Sequence, residues 1–305
     1  MTAVAHPTPT TLSTAEALQG LSPHLRRRKT VNRLATVGVW LAILIALLPL
    51  YSVLSFTLTK GLKRFDISFL THSLRGIGPL DAGGGAYHAI IGTLEQVGIA
   101  SAFAIPLGLL AAIYLVEYET GRLRGVIRFF VDVMTGIPSI VAGLFIYAFW
   151  VLALKQGFSG LAAAMALAIL MLPTVIKSSE ELLLLVPQSL RGAGLGLGLP
   201  RWRVVVSLVL PTAASGIVTG IMLAISRVIG ETAPLLLTAL GLDSINTDPF
   251  HGQQSGLGLF VYSQAQRPQE VAIDRAWAGA LTLILIVMLL SLVARLIARR
   301  TKISR

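Results

Sequence analysis

Two oppositely charged side chains, Arg227 and Glu231, lie four residues apart within a strongly apolar stretch, residues 210–240. A charged side chain at the centre of a membrane helix costs roughly 2.5–3.5 kcal/mol on insertion scales, so it usually faces a cavity or a partner. In an α-helix this spacing places both residues on one face. The guanidinium is a fork of donors that suits oxyanion oxygens, and the carboxylate would compete for it and favour release. The pair predicts an anion contact, or else two charges that only neutralise each other for insertion.

Hydroxyl groups near the same depth are the next candidates for this pathway. Ser139 and Thr232 are predicted to line it, although small polar residues in membrane helices more often serve close packing. Gly136 and Pro138 flank the position of Ser139 and would break or kink its helix. The substrate pathway is therefore predicted to contain Arg227, Glu231, Thr232 and Ser139.

No group of residues indicates catalysis or metal binding. The chain has no cysteine, and its five histidines are scattered, so no metal site is predicted. The glycines at positions 192–198 fit neither the GxxxxGK[ST] nor the GxGxxG spacing, so we expect neither ATP hydrolysis nor a bound cofactor. An intramembrane enzyme that uses Glu231 or Asp132 as acid or base is the alternative class, but the sequence supplies no convincing catalytic set.

The elements that would position these residues are membrane helices. Mean hydropathy is +0.78, with 54% hydrophobic and 13% charged residues, and a membrane span needs about 20 mostly apolar residues. Six runs qualify: 34–58, 89–114, 126–154, 161–176, 212–239 and 276–297. The sequence therefore predicts an all-α integral membrane protein with six transmembrane helices, in which residues 1–30 form a mobile cytoplasmic tail and residues 31–305 the membrane domain.

The net charge of +11 is distributed unevenly between the two sides of this topology. With the N-terminus in the cytoplasm, 17 of the 25 Lys and Arg residues fall on the cytoplasmic side and seven on the other. This excess follows the positive-inside rule, so both termini are predicted to be cytoplasmic. No aromatic-interleaved basic patch accompanies the charge, and nucleic-acid binding is not expected.

The connection between the fourth and fifth runs contains a glycine-rich segment. Pro187 and Pro200 bracket a stretch long enough for a short helix, because proline suits helix starts and breaks helix interiors. Its spacing is Gly192-Ala193-Gly194, three residues, Gly198, nine residues, Leu208-Val209-Leu210-Pro211. It resembles the EAA loop of ABC importer permeases, E-A-A-x3-G-x9-I-x-L-P, with Gly192, Gly194 and Leu208 in place of Glu, Ala and Ile.

The resemblance implies that residues 186–211 form a coupling loop that docks on an ATPase. The residues predicted to carry this contact are Gly192, Ala193, Gly198, Pro200, Arg201, Leu210 and Pro211. The small side chains would allow close approach to the ATPase, and Arg201 would either pair with its acidic residues or anchor the loop at the membrane surface.

A second resemblance narrows the family. Residues 226–239 read SRVIGETAPLLLTA and are similar to the signature of PstA-type permeases of the bacterial phosphate-specific transporter; residues 136–145, GIPSIVAGLF, agree. The resemblance covers roughly residues 34–300. It implies a type I ABC importer permease of MetI-like architecture in the bacterial cytoplasmic (inner) membrane. Such a chain forms half of an alternating-access pathway for inorganic phosphate.

The same resemblance implies partners. These are a sister PstC-like permease, two copies of a PstB-like ATPase that carry the ATP and Mg²⁺, and a periplasmic or lipid-anchored PstS-like phosphate-binding protein. Two alternatives remain: a permease for another oxyanion such as sulfate or molybdate, which would share the loop but not the signature at 226–239, and a secondary phosphate carrier, against which the loop itself argues.

Overall fold

The computed structural model describes residues 23–78, 80–118 and 121–300, and the described chain is helical without any β-strand. The helices are α1 (Pro23–Gly61), α2 (Ile67–Thr71), α3 (Tyr87–Glu117), α4 (Arg122–Gly136), α5 (Ser139–Ile146), α6 (Gly160–Leu184), α7 (Gln188–Gly196), α8 (Arg201–Val204), α9 (Leu210–Ile229), α10 (Ala233–Thr238), α11 (Leu257–Ala265) and α12 (Glu270–Arg300). Two π-helical segments continue this pattern: π1 (Tyr147–Ala153) follows α5, and π2 (Val205–Val209) joins α8 to α9.

Among the described residues, five helices are long and apolar enough to cross a membrane: Arg27–Gly61, Tyr87–Glu117, Gly160–Leu184, Arg201–Ile229 and Glu270–Leu296. The pair Arg122–Gly136 and Ser139–Ala153 forms a sixth candidate span, bent by 108° at its break. These six elements match the six predicted runs in order, and the all-helical membrane fold is confirmed.

Three boundaries differ from the prediction. The first helix begins at Pro23, so positions 23–30 of the predicted tail are helical; residues 1–22 of the predicted tail lie outside the described residues. The fourth span continues to Leu184, because Lys177, Glu180 and Glu181 end the apolar run without ending the helix. The fifth run divides into α9 and α10, because its helix stops at Ile229.

The chain divides into two compact units, residues 1–56 and 57–305. In the first unit, the described part is the helix over residues 23–56, and nearly all its side chains from residue 27 onward are exposed. Large apolar groups such as Trp40, Ile45 and Tyr51 are among them. An exposed helix that is apolar all round is typical of a membrane span.

In the second unit, α3, α6 and α9 form the centre of the bundle. Small residues make this packing close: Ala162, Ala163 and Ala166 of α6 are fully buried, and a Cβ at Gly108 of α3 would lie 2.7 Å from Val175. Helices in membranes associate through such surfaces because small side chains let the backbones approach. The packed centre fixes the positions of the side chains that α6 and α9 present to the site.

Two of the spans are broken, and the segments after the breaks pack together. Ile137 has extended backbone (φ −72°, ψ 124°) before Pro138, because proline disfavours the helical region for the residue that precedes it. Helix α5 then packs on α10, where a Cβ at Gly143 would lie 2.6 Å from Pro234 Cα. The third and fifth spans therefore meet directly after their breaks.

The segment between α10 and α11 folds back against the bundle. The Gln254 amide donates hydrogen bonds to Glu95 Oε2 at 2.6 Å and to the Asn246 carbonyl at 3.0 Å, while Gln96 donates to Gln254 Oε1 at 3.0 Å. A buried polar group must be hydrogen-bonded to be tolerated. The hydrogen bond from Gln254 therefore gives Glu95 a structural role at this contact.

Candidate functional site

A cavity of about 220 Å³ lies beside the break in the third span. Residues from the end of α4 and the break, from α6 and from α9 line it: Met134, Thr135, Ile137, Leu170, Pro173, Thr174, Lys177, Ser178, Glu181 and Arg227. This volume is many times the roughly 10–15 Å³ that one water molecule requires, so the cavity can hold a small hydrated anion. The break that Gly136 and Pro138 were predicted to cause borders this space.

The cavity contains two cationic groups, Arg227 and Lys177, and one carboxylate, Glu181. Arg227 is exposed and makes no hydrogen bond or ion pair with any residue in the described part of the chain. Two of the lining hydroxyls already donate to carbonyl oxygens, that of Thr135 at 2.7 Å and that of Ser178 at 3.3 Å. Lys177 is paired with Asp132 at 3.0 Å, so Arg227 is the cation lining this cavity that has no ion-pair partner among the described residues.

Glu231 does not share a helical face with Arg227. Helix α9 ends at Ile229, Gly230 follows as its C-cap, and the Glu231 amide donates to the Val228 carbonyl at 3.1 Å. No ion pair joins Arg227 to Glu231 within the described residues. The break has a chemical cause: Pro234 has no N–H to bond the Gly230 carbonyl, and its ring would clash with that oxygen in a continuous helix. The expected i, i+4 arrangement is therefore wrong.

Ser139 and Thr232 occupy equivalent places after the two breaks. Ser139 is the first residue of α5, and Thr232 is the residue before α10. Both are half-buried, and neither lines the cavity of Arg227. Of the four residues predicted for the pathway, the structure puts only Arg227 in this space; the other three stay predictions.

Sequence reasoning missed Lys177 as a member of this site. It was grouped with the cytoplasmic charges because it follows the fourth apolar run. The available signal was its spacing: Lys177 precedes Glu181 by one helical turn on α6, the same kind of intrahelical charge pattern that drew attention to Arg227.

The predicted coupling loop is a short helix, α7, between Pro187 and Pro200. Gly198 follows its C-cap in the left-handed region, with φ of +79°. Its amide donates to the Leu195 carbonyl at 2.9 Å, and the Leu199 amide donates to the Gly194 carbonyl at 3.2 Å. This is a Schellman motif, in which glycine is favoured because it has no Cβ. Gly198 thus serves the backbone, and a Cβ there would meet nothing within 4 Å.

The remaining loop residues divide into exposed and packed ones. Gly192 and Ala193 are exposed on α7, Pro200 is the N-cap of α8, and Arg201 is exposed on that helix. Leu210 and Pro211 are half-buried inside the continuous helical span Arg201–Ile229, so residues 201–211 of the predicted coupling loop are helical. Their contact with an ATPase stays a prediction. Pro211 follows directly after π2 and lies in the first turn of α9.

A buried ion pair ties α7 to the membrane bundle. The Arg191 guanidinium donates from Nε to Glu117 Oε1 at 3.0 Å, and its Nη2 lies 2.9 Å from the same oxygen as an ion pair. It also donates to the Leu183 carbonyl at 2.8 Å and to the Val186 carbonyl, at the C-terminal end of α6. The two charged side chains are only 10% and 12% exposed. One residue of the coupling helix therefore contacts the ends of both α3 and α6.

Comparison with known proteins gives the family. Residues 104–303 match the family described as binding-protein-dependent transport system inner membrane component. The chain is 45% identical over 276 residues to the phosphate transport system permease protein PstA 1 of Mycobacterium tuberculosis (strain CDC 1551 / Oshkosh), which covers 90% of this chain and 91% of the relative. The chain belongs to the PstA permease family. PstA of Yersinia pestis is 40% identical, with 90% and 92% covered.

Solved structures agree on the fold. A bacterial alginate ABC transporter, in complex with an alginate pentasaccharide-bound periplasmic protein, has a chain that matches with a TM-score of 0.63 and 14% identity, over 92% of this chain and 99% of that one. The inward-facing MetNI methionine ABC transporter matches with a TM-score of 0.57 and 18% identity, over 72% and 95%. The predicted architecture of an ABC importer permease is confirmed, and this chain is a multi-pass membrane permease.

Proposed function

We propose that this chain is the permease subunit of an ATP-driven importer of inorganic phosphate in the bacterial inner membrane, where it forms half of the translocation pathway. The observation that carries the proposal is the cavity that contains Arg227 without a carboxylate bound to its guanidinium. The names of its close relatives, phosphate transport system permease proteins, supply the substrate.

Arg227 is the proposed contact for the anion. Its guanidinium presents paired N–H donors in a planar fork that matches phosphate oxygens. A pathway must also release its substrate. Glu181 in the same cavity opposes strong binding, because a carboxylate repels the anion and competes for the two cations. The site therefore attracts phosphate while keeping its affinity moderate.

The proposed assembly contains a sister permease, two ATPase subunits that bind ATP and Mg²⁺, and a phosphate-binding protein outside. Helix α7 supplies a suitable docking surface, since Gly192 and Ala193 are exposed beside apolar Leu195 and Leu197 and the cation of Arg201. The contact of Arg191 with α3 and α6 gives α7 a mechanical connection to the bundle. Closure of the ATPase dimer would move α7 and with it the helices that line the cavity.

The test is uptake of labelled phosphate by vesicles that contain this chain with its partner subunits. Arg227→Gln should abolish uptake, and Arg227→Lys should restore little, because a point charge does not reproduce the planar fork. The double variant Arg227→Gln with Glu231→Gln should insert and assemble normally yet remain inactive.

Two outcomes would contradict the proposal. Near-normal phosphate uptake by the double variant would remove Arg227 from the pathway. The second outcome is competition by another oxyanion. If sulfate or molybdate suppressed the uptake of labelled phosphate by the wild-type complex as strongly as unlabelled phosphate does, the substrate would be a different oxyanion. Arg75→Gln is the matched control for the loss of one arginine, since Arg75 is exposed and lies outside the cavity. Glu231→Gln alone tests whether Glu231, which also lies outside the cavity, belongs to the predicted pathway.

A further inference from the structure

A second cavity, of about 290 Å³, adjoins the first and shares Lys177 and Glu181 with it. Its other lining residues come from α3, α4 and the last turns of α6: Leu115, Arg128, Val131, Asp132, Glu180 and Leu184. Lys177 is thus the only cationic residue that lines both spaces among the described residues. An anion that left Arg227 toward the coupling helix would pass it.

Charged pairs line this second space in an antiparallel ladder between α4 and α6. Lys177 Nζ lies 3.0 Å from Asp132 Oδ1, and one turn further along α6, Glu180 pairs with Arg128. Residue numbers rise along one helix as they fall along the other. The ladder gives Lys177 a carboxylate partner, Asp132, that lines the second cavity and not the cavity of Arg227.

The ion pair of Lys177 and Asp132 is exposed enough for Lys177 to exchange Asp132 for another oxygen partner. The two side chains are 42% and 61% exposed, in contrast to 10% and 12% for Arg191 and Glu117. Exposed ion pairs contribute little net stability because water screens them and both side chains lose freedom. The lysine ammonium, on a flexible four-carbon stem with three donors, can leave one oxygen partner for another without desolvation.

We propose that Lys177 is a second anion-binding residue of this permease, which receives phosphate from the Arg227 cavity and passes it into the cavity of Asp132. Asp132 accepts the ammonium again after the anion moves on, so it acts as the competitor that releases the substrate. The inference rests on the proposed function, because it takes phosphate as the anion that moves.

Neutralising either partner should slow phosphate uptake, but only the loss of Asp132 should lower the apparent KM. Lys177→Gln should lower the maximal rate of phosphate uptake by the assembled complex at least about tenfold, the effect of losing one hydrogen bond to a charged group. Lys177→Arg keeps a cation and should retain most of the uptake. Asp132→Asn removes the competitor, so the apparent KM should fall by up to about fivefold while the maximal rate also falls.

A charge swap separates anion binding from a merely structural pair. The variant Lys177→Asp with Asp132→Lys rebuilds the ion pair but puts the cation on α4. It should assemble and hydrolyse ATP like the wild type and transport little phosphate. Lys63→Gln is the matched control for loss of one lysine, since Lys63 is exposed outside both cavities.

Near wild-type transport by Lys177→Gln or by the swap would overturn the inference, and so would an unchanged KM in Asp132→Asn. If Lys177→Gln failed to assemble, the swap, which preserves the pair, would decide. These failures differ from a failure of the proposed function, in which the wild-type complex itself would not take up phosphate.

Discussion

Replacement of Arg191 by alanine should release the coupling helix α7 from the bundle. The arginine is 8% exposed and makes hydrogen bonds to Glu117 of α3 and to two carbonyls at the end of α6. Its removal leaves the Glu117 carboxylate buried without a counter-charge at the C-terminus of α3, where the helix dipole already disfavours an anion.

The cost can be estimated from this geometry. Removing one partner of a buried ion pair costs about 3–5 kcal/mol, chiefly because the other charge remains uncompensated. Glu117→Gln should cost less, about 1–2 kcal/mol, because the amide oxygen still accepts from Arg191 and the guanidinium keeps the carbonyls of Leu183 and Val186. The double variant Arg191→Ala with Glu117→Gln should cost less than the sum of the single changes.

Hydrogen exchange measures this effect locally, on the complex with its partner subunits. Since about 1.4 kcal/mol corresponds to a factor of ten, Arg191→Ala should accelerate exchange of the backbone amides of residues 192–199 at least about a hundredfold. Amides in the middle of α6 should keep their protection, because they belong to the packed centre of the bundle.

Arg203→Ala is the control for losing an arginine from the same region. Its guanidinium lies over the exposed Trp202 ring at 5.3 Å, a contact worth about 0.5–1 kcal/mol, so exchange should rise no more than about fivefold. If Arg191→Ala also stayed within that range, the ion pair would not hold α7, and the proposed mechanical connection would be refuted.

Three further expectations concern topology and glycine. A cysteine replacing Gly83 should react with an impermeant reagent in intact cells, and one replacing the exposed Leu197 should react only after permeabilisation; the reverse pattern would invert the topology. Gly143→Ala should destabilise the protein by about 1–3 kcal/mol in thermal unfolding, because the added Cβ would contact the α10 backbone. Gly98→Ala is its control: the added Cβ would meet nothing within 4 Å, so this change should stabilise the protein by about 0.5–1 kcal/mol. Gly198→Ala should cost about 1–2 kcal/mol through its positive φ alone; a neutral result would show that the Schellman motif is not needed.

The described structure bears out the number and order of the spans, because a bilayer demands long apolar helices and the sequence states their lengths directly. The short helix between Pro187 and Pro200 was equally readable, since proline and glycine act on the local backbone. The left-handed conformation of Gly198 gives this glycine a backbone role that the sequence alone did not indicate, and its contact with an ATPase stays a prediction.

No local sequence pattern indicated which residues of different spans contact each other. Arg191 and Glu117 are separated by 74 positions, and Lys177 and Arg227 by 50, so their neighbours depend on how helices pack and not on any local period. The pairing of Arg227 with Glu231 failed for a related reason, because proline three residues after Glu231 ends the helix before the fourth residue is reached.

By itself, then, the sequence determined a six-span helical permease of a recognisable family, since hydrophobic length, charge asymmetry and local breakers are properties of neighbouring residues. Only the tertiary structure decided which charges meet: it left Arg227 facing a cavity with Lys177, and it joined α7 to the bundle through Arg191 and Glu117. The physical reason is that electrostatic partners are selected by distance and burial, which helix packing sets after the helices have formed.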